Sequence, residues 1–264
     1  MAKLIDPAST GKFNSKEEAL EKSRFNLKKM YDLLYLMFAD GKHSLLIILQ
    51  GIDTSGKDGA VRHIFQGANP QGISVISFKQ PSVEDVRHDF LWRCHKQTPA
   101  SGLTAIFNRS YYEEVTTVMV HPEFLEAQFI AQKTYSDPDF FENRYGHIND
   151  FEKMLTQKGT VVLKFLLHIS KDEQKARLKE RLTDKSKNWK FSEADVKERQ
   201  HWDEYMSAFA KMIHATDTKH SPWHVVPADH KWYRDYLISK TIVDALSDLK
   251  MSFPKSKVKP SSIR

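Results

Sequence analysis

The sequence predicts an α/β fold in which a parallel sheet is flanked by helices. Three observations carry that expectation. Short apolar runs rich in β-branched residues recur at 45–49, 73–78, 103–107, 160–169 and 223–226. Between them lie segments whose apolar residues return at helical spacing, so strand and helix alternate as in a parallel sheet with crossover helices. The first run, Leu45-Leu46-Ile47-Ile48-Leu49, is apolar without a break, as a strand covered on both faces must be.

The elements follow in order. Residues 1–13 read as a loose arm. Ser15 with Glu18 forms a capping box, and Leu27, Met30, Tyr31, Leu34, Met37 and Phe38 then recur at helical spacing up to Asp40-Gly41. A short helix is expected over 60–67 and a longer one over 83–96. Two more are expected over 122–133 and 139–157. After the strand at 160–169, two charged helical segments occupy 171–182 and 192–214, and 233–249 is the last helix. The expected organisation is one domain over 1–250, with residues 251–264 as a basic, disordered tail.

Composition limits the function classes. The 264 residues are 40% hydrophobic and 28% charged, which fits a chain with a substantial core and excludes global disorder. No apolar run approaches the ~18–20 residues of a membrane span. The start lacks the apolar stretch of a signal peptide. The single cysteine, Cys94, allows neither an intrachain disulfide nor a multi-cysteine zinc site, and the expected address is a reducing cytoplasm. The net charge of +6 lies in the tail, where Lys250, Lys255, Lys257, Lys259 and Arg264 follow Asp248 without an acid. The rest of the chain is nearly neutral, so global charge gives no support for a nucleic-acid or membrane partner.

Three segments carry chemistry. The first is Gly51-Ile52-Asp53-Thr54-Ser55-Gly56-Lys57-Asp58-Gly59. It matches the phosphate-loop spacing of Gly, four residues, Gly-Lys, between a buried strand and a helix. Backbone N–H groups at such a helix start cradle phosphates, and Lys57 reaches them as a point charge. Gly51, Thr54, Ser55, Gly56, Lys57, Asp58, Gly59 and Arg62 are the expected phosphate contacts of this loop and helix. The alternative is a plain glycine-containing turn. Asp58 stands where Ser or Thr is usual in the pattern, so the loop carries two carboxylates. A carboxylate beside a phosphate is repelled unless a cation lies between, which makes Asp53 and Asp58 candidate ligands for a hard divalent metal. Otherwise Asp53 is a turn former and Asp58 a first-turn acid favoured by the helix dipole.

The second segment, Phe107-Asn108-Arg109-Ser110-Tyr111-Tyr112-Glu113, follows the strand at 103–107 directly. In phosphate-loop folds the strand end beside the loop carries the acid that holds magnesium. Here that position is the neutral Asn108, and Glu113 or Glu114 is the candidate to supply the charge. Arg109 is a candidate phosphate clamp or, alternatively, a surface ion-pair partner. The third segment, 171–190, sets eight bases against four acids. Arg177 and Arg181, four apart, share a helix face, and Lys187 and Lys190 sit in the polar break that follows. Near a phosphate loop this reads as a lid over about 171–200; alone it reads as a solvated face. His220 and His224, His88-Asp89 and the tryptophans are weaker signals, better explained as structural. The chain holds no nucleophile elbow, zincin motif or dinucleotide fingerprint.

These segments together resemble the family-2 polyphosphate kinases. So do His88-Asp89-Phe90-Leu91-Trp92, Asn188-Trp189-Lys190-Phe191, Trp202-Asp203-Glu204-Tyr205 and Pro227-Ala228-Asp229, in the same order along residues 15–250. The resemblance implies a thymidylate-kinase-like P-loop kinase fold with a helical lid. It also implies Mg2+-dependent transfer of phosphate between inorganic polyphosphate and AMP or ADP, giving ADP or ATP, and a dimer or tetramer. Family members commonly carry Asp at the position of Asn108. The branch with Asn-Arg-Ser-(His/Tyr)-Tyr-Glu is associated with AMP as acceptor and often with both AMP and ADP. The residues fit independently. A nucleotide phosphate is already ionised near neutral pH, so transfer to it needs charge neutralisation and positioning rather than a base. Asp53, Lys57, Asn108, Arg109, Glu113, Arg177 and Arg181 are the expected catalytic set. An ATP-dependent nucleoside monophosphate kinase and a non-catalytic binding module are the alternatives.

Overall fold

A computed structural model describes residues 4–13 and 15–256. In chain order the elements are α1 (Lys16–Asp40), β1 (Ser44–Gln50), α2 (Lys57–Phe65), β2 (Ile73–Ser77), α3 (Trp92–His95), β3 (Thr104–Asn108), α4 (Thr117–Val120), α5 (Glu123–Ala127), α6 (Gln132–Tyr135), α7 (Phe140–Gln157), β4 (Thr160–His168), α8 (Lys171–Thr183), α9 (Glu193–Glu198), α10 (Trp202–Thr216), β5 (Trp223–Pro227) and α11 (Lys231–Ser247). Among the described residues, five strands form one parallel sheet in the order β2-β3-β1-β4-β5.

β1 is central, and all seven of its residues are buried, as its unbroken apolar run requires. α11 packs against α1, α2, β4 and β5, while α7 packs against β4 and α10. One core joins Met30, Leu34 and Met37 of α1 to Leu45–Leu49 of β1, Phe165–Leu167 of β4 and Ile238, Ile242 and Leu246 of α11. The register pairs Leu49 with Asn108 and Gln50 with Leu166. The carboxyl ends of the central strands are therefore level, and the segments that leave them share one edge, where ligands bind in open α/β sheets. None of the described helices is long and apolar enough to cross a membrane.

The Ser15 cap forms, with its side chain accepting from Glu18 N–H at 3.2 Å. The helix expected over 192–214 is divided into α9 and α10 by a 3-10 turn at Arg199–His201, and two other expected helices do not form as single helices. Over 83–96 the chain makes a 3-10 turn at Asp85–Arg87, an extended residue at His88, and then α3. Ser82 and Asp85 cap each other's backbone N–H, and Asp89 accepts from Leu91 N–H at 3.0 Å. Such short side chains offer the backbone an alternative to the helical ladder. The helix expected over 122–133 splits into α5 and α6 around Phe129, whose φ is 58°.

The described residues of the arm, 4–13, are docked rather than loose. Phe13 packs its ring on Trp232, Tyr233 and Tyr236 of α11, and Pro7 O accepts from Asp229 N–H at 3.2 Å. At the other end Phe253 meets Tyr35 of α1, while tail residues 257–264 lie outside the described residues.

Candidate active site

The loop from Gly51 to Gly56 joins β1 to α2, and glycine is required at both of its ends. Gly51 has φ 146°, and a Cβ there would come within 2.6 Å of Leu167 O; Gly56 has φ 98°. Between them Thr54 adopts φ 66°, and Arg109 after β3 adopts φ 64°. Non-glycine residues held in this region cost about 1–3 kcal/mol each and cluster at functional sites. Thr54 Oγ1 and Ser55 Oγ are buried in the loop without a hydrogen-bond partner, two polar atoms ready for a ligand's oxygens.

Lys57 opens α2, is buried, and turns its Nζ back to Gly51 O at 2.6 Å and Ile52 O at 3.3 Å. Burial pulls its ammonium from 10.5 down to about 8, helped by the charge of Arg109 and opposed by Asp53, Glu113 and Asp58. Those charges therefore converge on the loop. Arg109 is ion-paired with Asp53 and lies 3.6 Å from Glu113, and Glu113 raises its pKa most, against burial. Glu113 also accepts from Thr117 Oγ1 at 2.7 Å. Gly51, Asp53, Arg109, Glu113, Thr117 and Tyr205 line one cavity.

Asn108 closes β3 and donates its amide to Asp58 Oδ1 at 2.7 Å. Glu114 is a different case from Glu113: it is buried against Arg144, Gln128 and Arg93, so its carboxylate belongs to a structural cluster. Below the segment, Glu152 accepts from the hydroxyls of Tyr111 and Tyr112 at 2.9 and 2.8 Å and from Lys164 Nζ at 2.7 Å. The Lys164–Glu152 pair is fully buried, and it anchors the chain immediately after Arg109.

The residues of the expected lid divide. Arg177 is 7% exposed and points into the molecule, donating to Thr54 O and Ser55 O at 3.0 and 3.1 Å and to Ala228 O at 2.6 Å. The expected face that swings over phosphates does not include it, because these carbonyls hold its guanidinium. Arg181 pairs with Asp195 of α9 at 3.1 Å. Burial raises the Asp195 carboxyl and Asp53's charge raises it further, against Arg181 and Arg109. Lys187 is turned onto Glu180 and Asp184 of its own segment at 2.6 and 2.9 Å. The side chain of Lys190 lies outside the described residues. Arg62 is exposed on α2.

Sequence reasoning missed how the start of α8 is fastened to the loop. Arg199 donates to Lys171 O at 2.7 Å and Gln174 Oε1 at 2.8 Å, and Gln174 donates to Asp53 O at 3.3 Å. It also missed Arg234, which donates to Gly56 O at 3.1 Å. No spacing in the sequence marks either.

Among the described residues no three His, Cys, Asp or Glu side chains converge as a metal-holding group, and His220 instead meets Thr218. Magnesium does not need such a group, because it is usually held by one or two carboxylates, with phosphates and water completing six oxygens. Asp53 and Asp58, with the orphaned hydroxyls of Thr54 and Ser55, fit that requirement.

The Asn108–Asp58 bond makes a direct prediction. Asn108→Asp replaces an amide donor with a second carboxylate facing Asp58, and like charges at hydrogen-bond distance repel unless a cation intervenes. Turnover should fall about tenfold at limiting magnesium and recover as magnesium is raised, by the order of one pKa unit's worth of interaction. Steady-state rates across a magnesium titration check this. A rise of orders of magnitude at every concentration would show instead that position 108 lacks its working acid.

A parallel sheet with a phosphate loop after its central strand, a lysine opening the next helix, and carboxylates and an arginine facing that loop define a phosphotransferase of the P-loop kinase fold. Comparison with known proteins narrows the class. Residues 12–254 match the family model Polyphosphate kinase 2 (PPK2), and the chain belongs to that family. It is 43% identical to an ADP-polyphosphate phosphotransferase of Rhodopseudomonas palustris, over 92% of this chain and 84% of that one. It is 41% identical to an AMP/ADP-polyphosphate phosphotransferase of Meiothermus ruber, over 96% and 91% of the two. The crystal structure of polyphosphate kinase 2 from Arthrobacter aurescens superposes with a TM-score of 0.90 at 40% identity, covering 98% of this chain and 89% of that one.

Proposed function

We propose that this protein transfers the terminal phosphoryl group of inorganic polyphosphate to AMP or ADP, reversibly, giving ADP or ATP. The observation that carries the reading is the convergence of Lys57, Arg109, Asp53, Asp58 and Glu113 on one loop whose hydroxyls are buried and unpartnered. The acceptor is already ionised, so the site needs cationic neutralisation and alignment of two polyanions. Lys57 and Arg109 supply fixed charge. Asp53 and Asp58 would hold Mg2+, which when bound neutralises phosphate oxygens. Asn108 and Glu113 hold Asp58 and Arg109 in place, and Arg181 is paired with Asp195, whose carboxyl feels the charge of Asp53.

The relatives' names, polyphosphate with AMP and ADP, support this substrate class. The buried lone Cys94 supports a reducing cytoplasm, and the family resemblance supports a homo-oligomer, dimer or tetramer. One assay tests the reading. AMP, magnesium and polyphosphate are incubated without ATP, and ADP and ATP are measured. Product without added ATP is expected. Product only when ATP is supplied identifies an ordinary nucleoside monophosphate kinase, and binding without turnover identifies a binding module.

A further inference from the structure

Three successive carbonyls of the phosphate loop are held by two buried arginines. Arg177 Nη1 donates to Thr54 O and Ser55 O, and Arg234 Nη1 donates to Gly56 O. Arg234 is 1% exposed. Each guanidinium is fixed from behind. Glu173 accepts from Arg177 Nε at 2.7 Å while Ala228 O and Asp229 O accept from its Nη2, and Asp235 accepts from Arg234 Nε at 2.8 Å. Burial depresses the Arg234 guanidinium, and the neighbouring charge of Arg177 depresses it further. Two like charges buried side by side are costly unless oxygen atoms surround them, and here the loop's carbonyls are those atoms.

The geometry has a consequence for the opposite side of the loop. In a trans peptide the C=O and the following N–H lie in one plane and point in opposite directions. Holding Ser55 O on Arg177 turns the N–H of Gly56 the other way, and Gly56 O, which Arg234 shares with the first helical bond of α2 from Ala60 N–H at 2.9 Å, turns the N–H of Lys57 likewise, at the N-terminus of α2, where helix dipole and amides favour an anion. Ser55 N–H has a different task and closes a turn to Ile52 O at 3.1 Å. The approach is close. A Cβ on Gly56 would lie 2.3 Å from Arg234 Nη1 and 3.3 Å from Arg177 Nη1.

We propose that Arg177 and Arg234 are positioning residues. They set the direction of the loop's peptides from behind, so that a phosphate chain meets N–H groups, and neither arginine touches the phosphates. The inference rests on the phosphate-binding reading of the loop given above.

The test is titration calorimetry of the full-length protein with magnesium tripolyphosphate, alongside thermal melting and the KM for polyphosphate. Arg177→Met and Arg234→Met should each weaken tripolyphosphate binding and raise KM by about tenfold or more, the scale of a lost hydrogen bond to a charged group. Arg177→Lys should not rescue, because one ammonium keeps the charge but cannot replace a planar fork across several carbonyls. Should Arg234→Met fail to fold, Arg234→Lys, which keeps a charge beside Asp235, gives the same comparison and the same expected direction. A purely structural role predicts a lower melting temperature with unchanged affinity in the folded protein, and that result overturns the proposal. Full rescue by Arg177→Lys also overturns it, since charge alone would then suffice. If the unmodified protein binds no tripolyphosphate, the phosphate-binding reading falls first and this inference with it.

Discussion

Replacing Lys57 with Ala is expected to lower the steady-state rate about 10²–10³-fold, the usual loss when one strong electrostatic contributor is removed from a preorganised site. The structure gives the reason. Lys57 is the first residue of α2, buried beneath the loop, with its ammonium on Gly51 O and Ile52 O. A phosphate in the loop would compete with those carbonyls for the ammonium, and the surrounding burial makes its charge count for more than it would in water. Lys57→Arg should fail nearly as badly. The planar fork does not fit where a compact ammonium meets two carbonyls inside a closed loop. The check is the rate at saturating AMP and polyphosphate for both variants, with melting temperatures to establish that they fold. A near-normal rate for Lys57→Arg would refute this account of the loop.

The sequence made the strands and the loop legible because their signals are local. An unbroken apolar run and a glycine at each end of the turn follow from backbone sterics and burial, and β1 appears where those signals stand, while α2 starts at Lys57 and ends at Phe65 rather than spanning the expected 60–67. The misread helix over 83–96 is also a local matter. Ser82, Asp85 and Asp89 compete for backbone N–H groups, a signal that helical periodicity outweighed. The remaining differences are tertiary. Helical spacing put Arg177 and Arg181 on one face, but spacing does not say what that face looks at, and Arg177 looks inward at the loop's carbonyls. Lys164 interrupts an apolar strand, and its partners Glu152, Tyr112 and Thr216 come from three other places in the chain. Arg234 sits in an ordinary helix, and its contact with Gly56 O exists only once α11 packs on α2.

Asp53→Asn should be comparably severe, and it separates two tasks of one side chain. The carboxylate is ion-paired with Arg109, and it is also a candidate oxygen for the metal. The amide keeps the size of the side chain and removes its charge. If the pairing with Arg109 is the larger task, Asp53→Asn and Arg109→Lys should each lower turnover about 10²–10³-fold. The double variant should then be scarcely worse than either, because residues in direct contact are not additive. If holding magnesium is the larger task, Asp53→Asn should raise the magnesium concentration needed for half-maximal rate, while Arg109→Lys should leave that concentration where it was. Rates of the two single variants and the double variant across a magnesium titration give both quantities. The expected pattern is a strong loss in each single variant, non-additivity in the double, and a shifted magnesium requirement confined to variants lacking Asp53. A loss of less than threefold in Asp53→Asn at all magnesium concentrations would remove Asp53 from the mechanism. It would also leave Asp58, held by Asn108 across the same loop, as the carboxylate on which metal binding depends.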